Sequence, residues 1–364
     1  GVARVFSAGD GHPEQIVAFD EQELTRCGVF RIAKGTVVAE PFAWMQLAAL
    51  SVLGAAVAAG TYFALQRGEQ GPRRQAISRD DIGSLSQVTS GLTTLIAFLV
   101  GGLCTVNTTR WHDLRIDGLE RFWAAVGDIC FRLAVYFPGH GAADEEAKDT
   151  VLRWGLASMQ LLFMECRELD TWTAGKAGLE ARQETGLADV VGDLERQGLL
   201  TREEAARLEP LRARSQAVVV WIASLFTKLV LEGRLPDPIK DRENFLRDCL
   251  HAREGIRKTL AKMETQNPFY LVHQLCLMVK VYLLCLAVVT GATVGLSLYA
   301  GTPVHAVAQT LVFLVSCIFV QGIIDVFAKS RNPFGIDAVD YPLRVFQARM
   351  EGECRDVYDA AGAP

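Results

Sequence analysis

Asn332-Pro333-Phe334-Gly335-Ile336-Asp337-Ala338-Val339-Asp340 stands just behind a stretch, residues 281–324, that carries no formal charge. A helix rises about 1.5 Å per residue and a bilayer's hydrocarbon core is about 30 Å thick, so that stretch suffices for two membrane crossings joined by a tight turn. Pro333 and Gly335 shape the loop behind it, and Asp337 and Asp340 give it two carboxylates, a composition suited to a regulatory clasp where the chain leaves the membrane.

Outward from this point the other crossings become legible. Residues 41–66 contain no charged side chain and reach roughly 39 Å as a helix, enough for a first span. Gly54, Ala55, Ala56, Ala58, Ala59 and Gly60 set up small-xxx-small spacings there, read either as a close helix–helix contact or as a plain alanine-rich helix. Residues 82–109 are also uncharged but unusually polar. At helical spacing Ser90, Thr94, Phe98, Gly101 or Gly102, Thr105 and Thr109 form one stripe, while Leu92, Leu95, Ile96, Leu99, Leu103 and Val106 cover the other side. The stripe reads as hydroxyls bonding back to their own helix at a packed seam, or as the wall of a water-filled path. The last two spans are 265–300 and 303–327, with Gly301-Thr302-Pro303 as the turn. Lys280 is the one charge in the third span, where it snorkels, pairs with an acid or faces a polar cavity.

Composition agrees with a membrane part joined to a large polar part. The chain has 364 residues, half of them hydrophobic, and a mean hydropathy of +0.19, high for a soluble protein and low for a pure membrane bundle. The net charge is -5 and Lys and Arg are scattered, so no electrostatic footprint for nucleic acid exists. Nine cysteines include no C-x-x-C pair, and several sit in apolar segments where thiols behave as small hydrophobes, so neither disulfides nor zinc are indicated. Six histidines never fall at metal-ligand spacing on one helix, and no nucleophile–base constellation emerges, so an enzyme is not expected. The chain opens with Gly1 rather than Met, which leaves open whether a targeting segment precedes it.

Four spans put the amino terminus, residues 110–264 and the carboxyl tail on one side, and the basic residues flanking the spans there, among them Arg31, Lys34, Arg110, Lys262 and Lys329, make that side the cytosolic one or its equivalent. The region between the second and third spans reads as helices, with long apolar faces at 119–137 and 149–166. Thr201-Arg202-Glu203-Glu204 has the spacing of a capping box, and residues 215–231, strongly apolar but keeping Lys228, read as a buried helix or one dipping to the membrane interface.

Four collinear motifs then carry a resemblance: Ala97-Phe98-Leu99-Val100-Gly101 through Thr108-Thr109-Arg110-Trp111, Gly198-Leu199-Leu200-Thr201-Arg202-Glu203-Glu204, Gly233-Arg234-Leu235-Pro236-Asp237-Pro238-Ile239, and Asn332-Pro333-Phe334-Gly335. In order and spacing they resemble the bestrophin family of anion channels, over roughly residues 30–355. The resemblance implies an all-α membrane protein, four transmembrane helices per subunit with a large cytosolic-side helical region, assembled as a homopentamer around a central pore. The implied organisation is an amino-terminal arm (1–40), span 1 (41–66), span 2 with the pore neck (82–111), a helical region with an aperture (112–264), span 3 (265–300), span 4 (303–327) and a clasp with tail (328–364).

By the same resemblance the neck positions are Thr94, Phe98 and Gly102, and the cytosolic aperture is Ile239. Only Phe98 keeps the large apolar side chain that animal members place at all three neck positions, which implies a leakier or displaced gate. Asp337 and Asp340 match the side-chain ligands of the family's calcium clasp and Asn332 a carbonyl ligand; hard oxygen donors in a tight turn suit calcium. The bland reading of the same loop is a turn whose aspartates cap neighbouring helices. The acidic run of animal members is reduced here, closer to bacterial, algal and plant relatives, so a chloroplast thylakoid membrane is expected, with the plasma membrane as the alternative. The expected partners are membrane lipids and small anions, with chloride or bicarbonate as cargo, because no acid lies in residues 82–109 and, in 265–327, only Asp325 at the exit, leaving no acidic ring of the kind that lines cation pores. Two other readings remain: a non-conducting assembly or scaffold protein on the same fold, and a secondary anion transporter, although no inverted repeat is visible.

Overall fold

The computed structural model describes residues 3–7, 15–19, 41–68, 79–138, 141–173, 190–235, 238–265, 267–329, 331–335 and 340–361. Asp337, one of the expected clasp ligands, and most of the amino-terminal arm lie outside the described residues. The helices are α1 (Pro41–Gly68), α2 (Arg79–Asp113), α3 (Arg121–Tyr136), α4 (Ala142–Thr173), α5 (Val190–Arg196), α6 (Arg202–Leu208), α7 (Arg214–Leu231), α8 (Pro238–Glu264), α9 (Phe269–Tyr299), α10 (Pro303–Lys329) and α11 (Leu343–Ala361). A π-helical segment, Leu114–Glu120, carries α2 into α3 without a break. The expected all-α class holds, with one small addition: β1 (Ala3–Ser7) and β2 (Gln15–Phe19) form a two-stranded sheet in the arm, where Val5, Ile16 and Val17 supply the β-branched residues strands prefer.

The chain divides into two compact units. The first comprises Gly1–Val5, Val17–Thr108 and Asn267–Arg331. Among the described residues, five helical runs are long and apolar enough to cross a membrane: Pro41–Arg67, Ile82–Tyr136, Arg214–Leu231, Phe269–Tyr299 and Pro303–Phe327. All except Arg214–Leu231 begin in this unit. Exposed aromatic side chains stand near the start of two of them, Phe42 and Trp44 on α1, Phe269 and Tyr270 on α9. Near the far end of α1, Tyr62 meets Tyr299 at a ring-centroid distance of 6.5 Å. Aromatic rings at both ends of apolar helices are what the two membrane–water interfaces select.

The closest packing in this unit is α1 on α9. A Cβ on Gly291 would come within 2.4 Å of the Gly54 carbonyl oxygen, and one on Gly295 within 2.4 Å of the Ala58 carbonyl oxygen. The two backbones therefore touch, the close approach that small residues permit where no solvent drives helices together. The expected small-residue seam on α1 is real, but it uses Gly54 and Ala58, and its partner is the Gly291-xxx-Gly295 pair of α9. Gly301, at φ 70°, ends α9, and the Thr302 N–H donates to the Ser297 carbonyl oxygen at 2.9 Å, making the expected turn into α10. The third span starts later than expected. Thr265 belongs to the end of α8, its N–H bonding Ala261 O at 3.0 Å, and α9 begins at Phe269 after Pro268, because a residue preceding proline, here Asn267, is pushed out of the helical region.

The second unit comprises Phe6–Ile16, Thr109–Gln266 and Asn332–Pro364. Its core gathers Phe122, Ile129 and Leu133 of α3, Phe163 of α4, Phe226 of α7, Phe245 of α8, and Met350 of α11. Phe226 and Phe245 stack with centroids 3.5 Å apart. The apolar run α7 is part of this core, with Val219, Ile222, Phe226 and Leu229 buried in it. The capping box at the start of α6 is present in both directions: Thr201 Oγ1 accepts from the Glu204 N–H and Glu204 Oε2 accepts from the Thr201 N–H. Glu204 also accepts from the Arg153 guanidinium at 2.6 Å and the Trp154 indole at 2.8 Å. Burial acts to raise its carboxyl, but the Arg153, Thr201 and Trp154 donors outweigh it and hold the pKa at about 2.

Candidate functional site

Helix α2 meets the rest of its unit along one narrow strip. Ile96, Val100 and Leu103, at i, i+4 and i+7, are buried in a cluster with Val279, Leu283, Phe313 and Cys317. On the side turned away, Ser90, Thr94, Phe98, Gly101, Gly102, Thr105 and Thr109 are all exposed, Phe98 at 78%. Thr94, Phe98 and Gly102 thus share one open stripe. A Cβ on Gly101 or Gly102 would meet nothing within 4 Å. The hydroxyls do bond back to the helix, Thr105 to Gly101 O at 3.0 Å and Thr94 to Ser90 O at 3.4 Å. The second of these is long enough to be weak, so Thr94 gives up little by turning its O–H to another acceptor.

The apolar side of this helix is only partly in contact with its unit. Leu95 and Val106 are 44% and 52% exposed, because the contact strip is narrower than the apolar face. The strip itself carries polar groups that the stripe reading did not include. Thr89 and Asn107 are buried, Thr93 Oγ1 bonds Thr89 O at 2.8 Å and the Tyr282 hydroxyl at 3.1 Å, and Asn107 Nδ2 donates to Phe327 O at 3.4 Å. The i, i+4 pair Thr89 and Thr93, out of phase with the stripe, was the available signal.

Lys280 does not snorkel. Its Nζ donates to Gln46 Oε1 at 2.9 Å and Gln321 Oε1 at 2.8 Å, and Gln321 Nε2 donates to Asp325 Oδ1 at 2.8 Å. Amides from α1 and α10 thereby bridge the cation toward the one acid of the last two spans. This is how a charge persists among apolar helices: two side-chain oxygens take the place of water.

In the second unit, Ile239 is the second residue of α8 and 76% exposed. The turn that carries it is pinned. The Tyr136 hydroxyl donates to Asp241 at 2.6 Å, and about two turns further along α8, Arg132 donates to Asp248 at 2.5 Å. Proline at the first helical position, Pro238, suits the start of α8, since its missing N–H would have no intrahelical partner there.

The clasp loop is anchored by Phe334, which is fully buried with its ring edge-on to Phe163 at 4.9 Å and to Tyr341 at 5.4 Å. Tyr341 in turn donates its hydroxyl to Trp111 O at 2.5 Å and its N–H to Pro333 O at 2.7 Å; burial pushes its phenol up. Asn332 Oδ1 accepts from the Phe334 N–H at 3.0 Å, an Asx turn that leaves its backbone carbonyl for other use. Arg167 of α4, buried, donates to Phe334 O at 2.5 Å and Gly335 O at 2.9 Å. Neither Arg167 nor the burial of Phe334 was visible in the sequence.

A Cβ on Gly335 would lie 2.4 Å from Asp340 Oδ2 and 3.8 Å from Asn332 O. Two of the expected calcium donors therefore flank the same glycine-made recess, and both are hard oxygens of the kind calcium takes. Among the described residues no three His, Cys, Asp or Glu side chains gather as a metal site; the third expected donor, Asp337, is outside them.

No family model and no curated protein matches the sequence, whereas solved structures do. A bacterial bestrophin homologue from Klebsiella pneumoniae is similar at a TM-score of 0.60 and 15% identity, with 85% of this chain and 97% of that one covered. Two singly substituted forms of a bestrophin homologue from the same bacterium give 0.60 at 15% identity, covering 86% and 99%, and 0.59 at 16%, covering 88% and 99%. The chain has the bestrophin fold, as its four motifs implied, and with its long apolar helices it is an integral membrane protein.

Proposed function

We propose that this protein is an anion channel in which α2 helices from several copies, five by the bestrophin resemblance, surround a path for chloride or bicarbonate. The observation that carries the reading is the exposed stripe Ser90, Thr94, Phe98, Gly102, Thr105, Thr109 on a helix otherwise apolar enough to cross a membrane. Polar groups at membrane depth belong in a bundle interior or a water-filled path. One subunit offers one such stripe, so closing a path around an axis takes several copies related by rotation.

The chemistry supports an anion as cargo. Residues 82–109 contain no acidic side chain, so rings of carboxylates that draw cations are missing from the wall, and threonine and serine hydroxyls are the donors left to greet the ion. Phe98 is the one bulky side chain of the proposed neck. Flanked by Thr94 and Gly102, it dewets the path over a shorter length than three large apolar residues would. Ile239, exposed on a pinned helix start, is the proposed second constriction, where an apolar side chain selects by size.

Calcium would be held by Asp340 and the Asn332 carbonyl, with Asp337 as the further carboxylate, and would add a fixed positive charge to that loop. Such a site shifts a gate only if the ion binds the open and closed arrangements unequally. The proposal is tested by recording from purified protein in planar bilayers under a chloride gradient. A reversal potential that follows chloride supports the channel, whereas a silent bilayer with intact oligomers points to a non-conducting assembly. Flux that saturates and requires a second solute points to a transporter.

A further inference from the structure

A recess of about 660 Å³ opens between α1, α9 and α10 in the first unit. Its walls are Gly54, Ala55, Ala58 and Ala59 on one side and Gly291 and Val294 on another, with Phe313 and Leu314 closing the third. The volume lies within the range of sites that enclose a small ligand, about 300–1,000 Å³. It cannot be removed by relaxation. The side chains of its floor are too short to reach across it, and α1 and α9 already touch backbone to backbone at Gly291 and Gly295. No lining residue is charged and most are aliphatic or aromatic, and the Thr310 hydroxyl is already bonded to Ala306 O at 2.9 Å, so the recess favours an apolar occupant over an ion.

The surface around it says what fills it. On either lip the exposed residues are large and apolar, Val52 and Phe63 on α1, Val307 and Leu311 on α10, all on helices long enough to cross a membrane. The recess is thus continuous with a surface suited to hydrocarbon. One end is marked by Tyr62, beside Tyr299 at the end of α9, the level at which interfacial aromatics meet lipid headgroups. We infer that this recess is a site for one acyl chain of a membrane phospholipid, entering at the Tyr62 and Leu298 end and lying along Ala59, Ala55 and Ser51 toward the membrane midplane. This site is separate from the conducting stripe on α2 and stands whether or not the protein conducts.

The test uses the full-length protein in nanodiscs containing phosphatidylcholine with a photoactivatable group on one acyl chain. After irradiation, peptide mapping is expected to place adducts on residues 51–63, 287–298 and 310–314 well above other membrane-facing positions, and excess unlabelled phosphatidylcholine should suppress them. Ala59→Phe and Ala55→Leu project into the recess from exposed positions and should cut adduct formation there about tenfold, the loss expected when roughly two chain methylenes are denied burial, whereas Phe319→Leu, exposed on α10 away from the recess, should leave it unchanged. Oligomer mass and helix content of each variant are measured alongside. Adducts spread evenly over all lipid-facing helices in the parent protein would overturn the inference. So would filling variants that break the oligomer while adducts persist, which would mean a second copy of the chain covers this face.

Discussion

Substituting the glycines of the α1–α9 seam one at a time should separate a true backbone contact from a merely small residue. An alanine Cβ at Gly291 would sit 2.4 Å from Gly54 O and 3.0 Å from the Val57 Cβ, and at Gly295 it would sit 2.4 Å from Ala58 O and 2.9 Å from the Thr61 Cβ. A Cβ at Gly54 reaches Ala287 O at 3.4 Å, an ordinary contact. Gly291→Ala and Gly295→Ala must therefore open the seam by about 1 Å, a gap large enough to forfeit a quarter to a half of the dispersion well for each facing atom pair. With overpacking costs of about 1–3 kcal/mol, each should lower the melting midpoint in detergent by about 2–6 °C. Gly54→Ala should match the parent or gain slightly from helix propensity. The double variant should cost less than the sum of the two, because one opening relieves both clashes. Parent-like stability of Gly291→Ala and Gly295→Ala, or a larger loss for Gly54→Ala, would refute the account of this contact.

Removing the guanidinium from the clasp, Arg167→Met, deletes two charge-assisted bonds to Phe334 O and Gly335 O and should cost about 3–5 kcal/mol in denaturant unfolding, while Arg167→Lys, able to serve one carbonyl, should lose about half that. A cost under about 1 kcal/mol for Arg167→Met would mean the loop is held by Phe334 alone. At the proposed neck, Thr94→Ile combined with Gly102→Phe should lower conductance without changing oligomer mass; unchanged current would make the stripe a packing surface. Glu204, held at about 2 in the fold against roughly 4.3 in an unfolded chain, stabilises the protein above the unfolded value, and that contribution fades as pH falls through the interval between them. Melting midpoints of the parent and Glu204→Gln should therefore differ at neutral pH and converge toward about pH 2; a constant difference would assign the effect to geometry alone.

Features that depend on neighbours in sequence are legible from the sequence alone. Uncharged runs mark α1, α2, α9 and α10, the Thr201–Glu204 box is a local exchange of bonds, and Gly301 is needed where φ turns positive. Features that depend on distant partners are not. Gly291 and Gly295 look like scattered small residues until Gly54 and Ala58 arrive opposite them. Lys280 could snorkel, pair with an acid or face a cavity as far as sequence goes, because Gln46 and Gln321 lie far away in the chain, and Arg167 gives no local hint that it binds the loop of Phe334 and Gly335. For the candidate site, helical periodicity put Thr94, Phe98 and Gly102 on one stripe and Leu95 and Val106 on the opposite side, but it could not show that the contact strip is too narrow to cover those two. The motif Asn332-Pro333-Phe334-Gly335 pointed to a shaped loop, while the anchoring of that loop by an aromatic cluster and an arginine came only with the tertiary structure.

The most direct test of an ion path along α2 is cysteine accessibility under current. Single cysteines would be introduced at Thr94, Phe98 and Gly102 and, as controls, at Ile96, Val100 and Leu103, and each variant exposed to a charged, water-soluble thiol reagent while current is recorded in bilayers. The account predicts that reagent reduces current through Thr94→Cys, Phe98→Cys and Gly102→Cys and leaves the three control variants at the parent's level. Equal block at both sets of positions, or block confined to the controls, would contradict it.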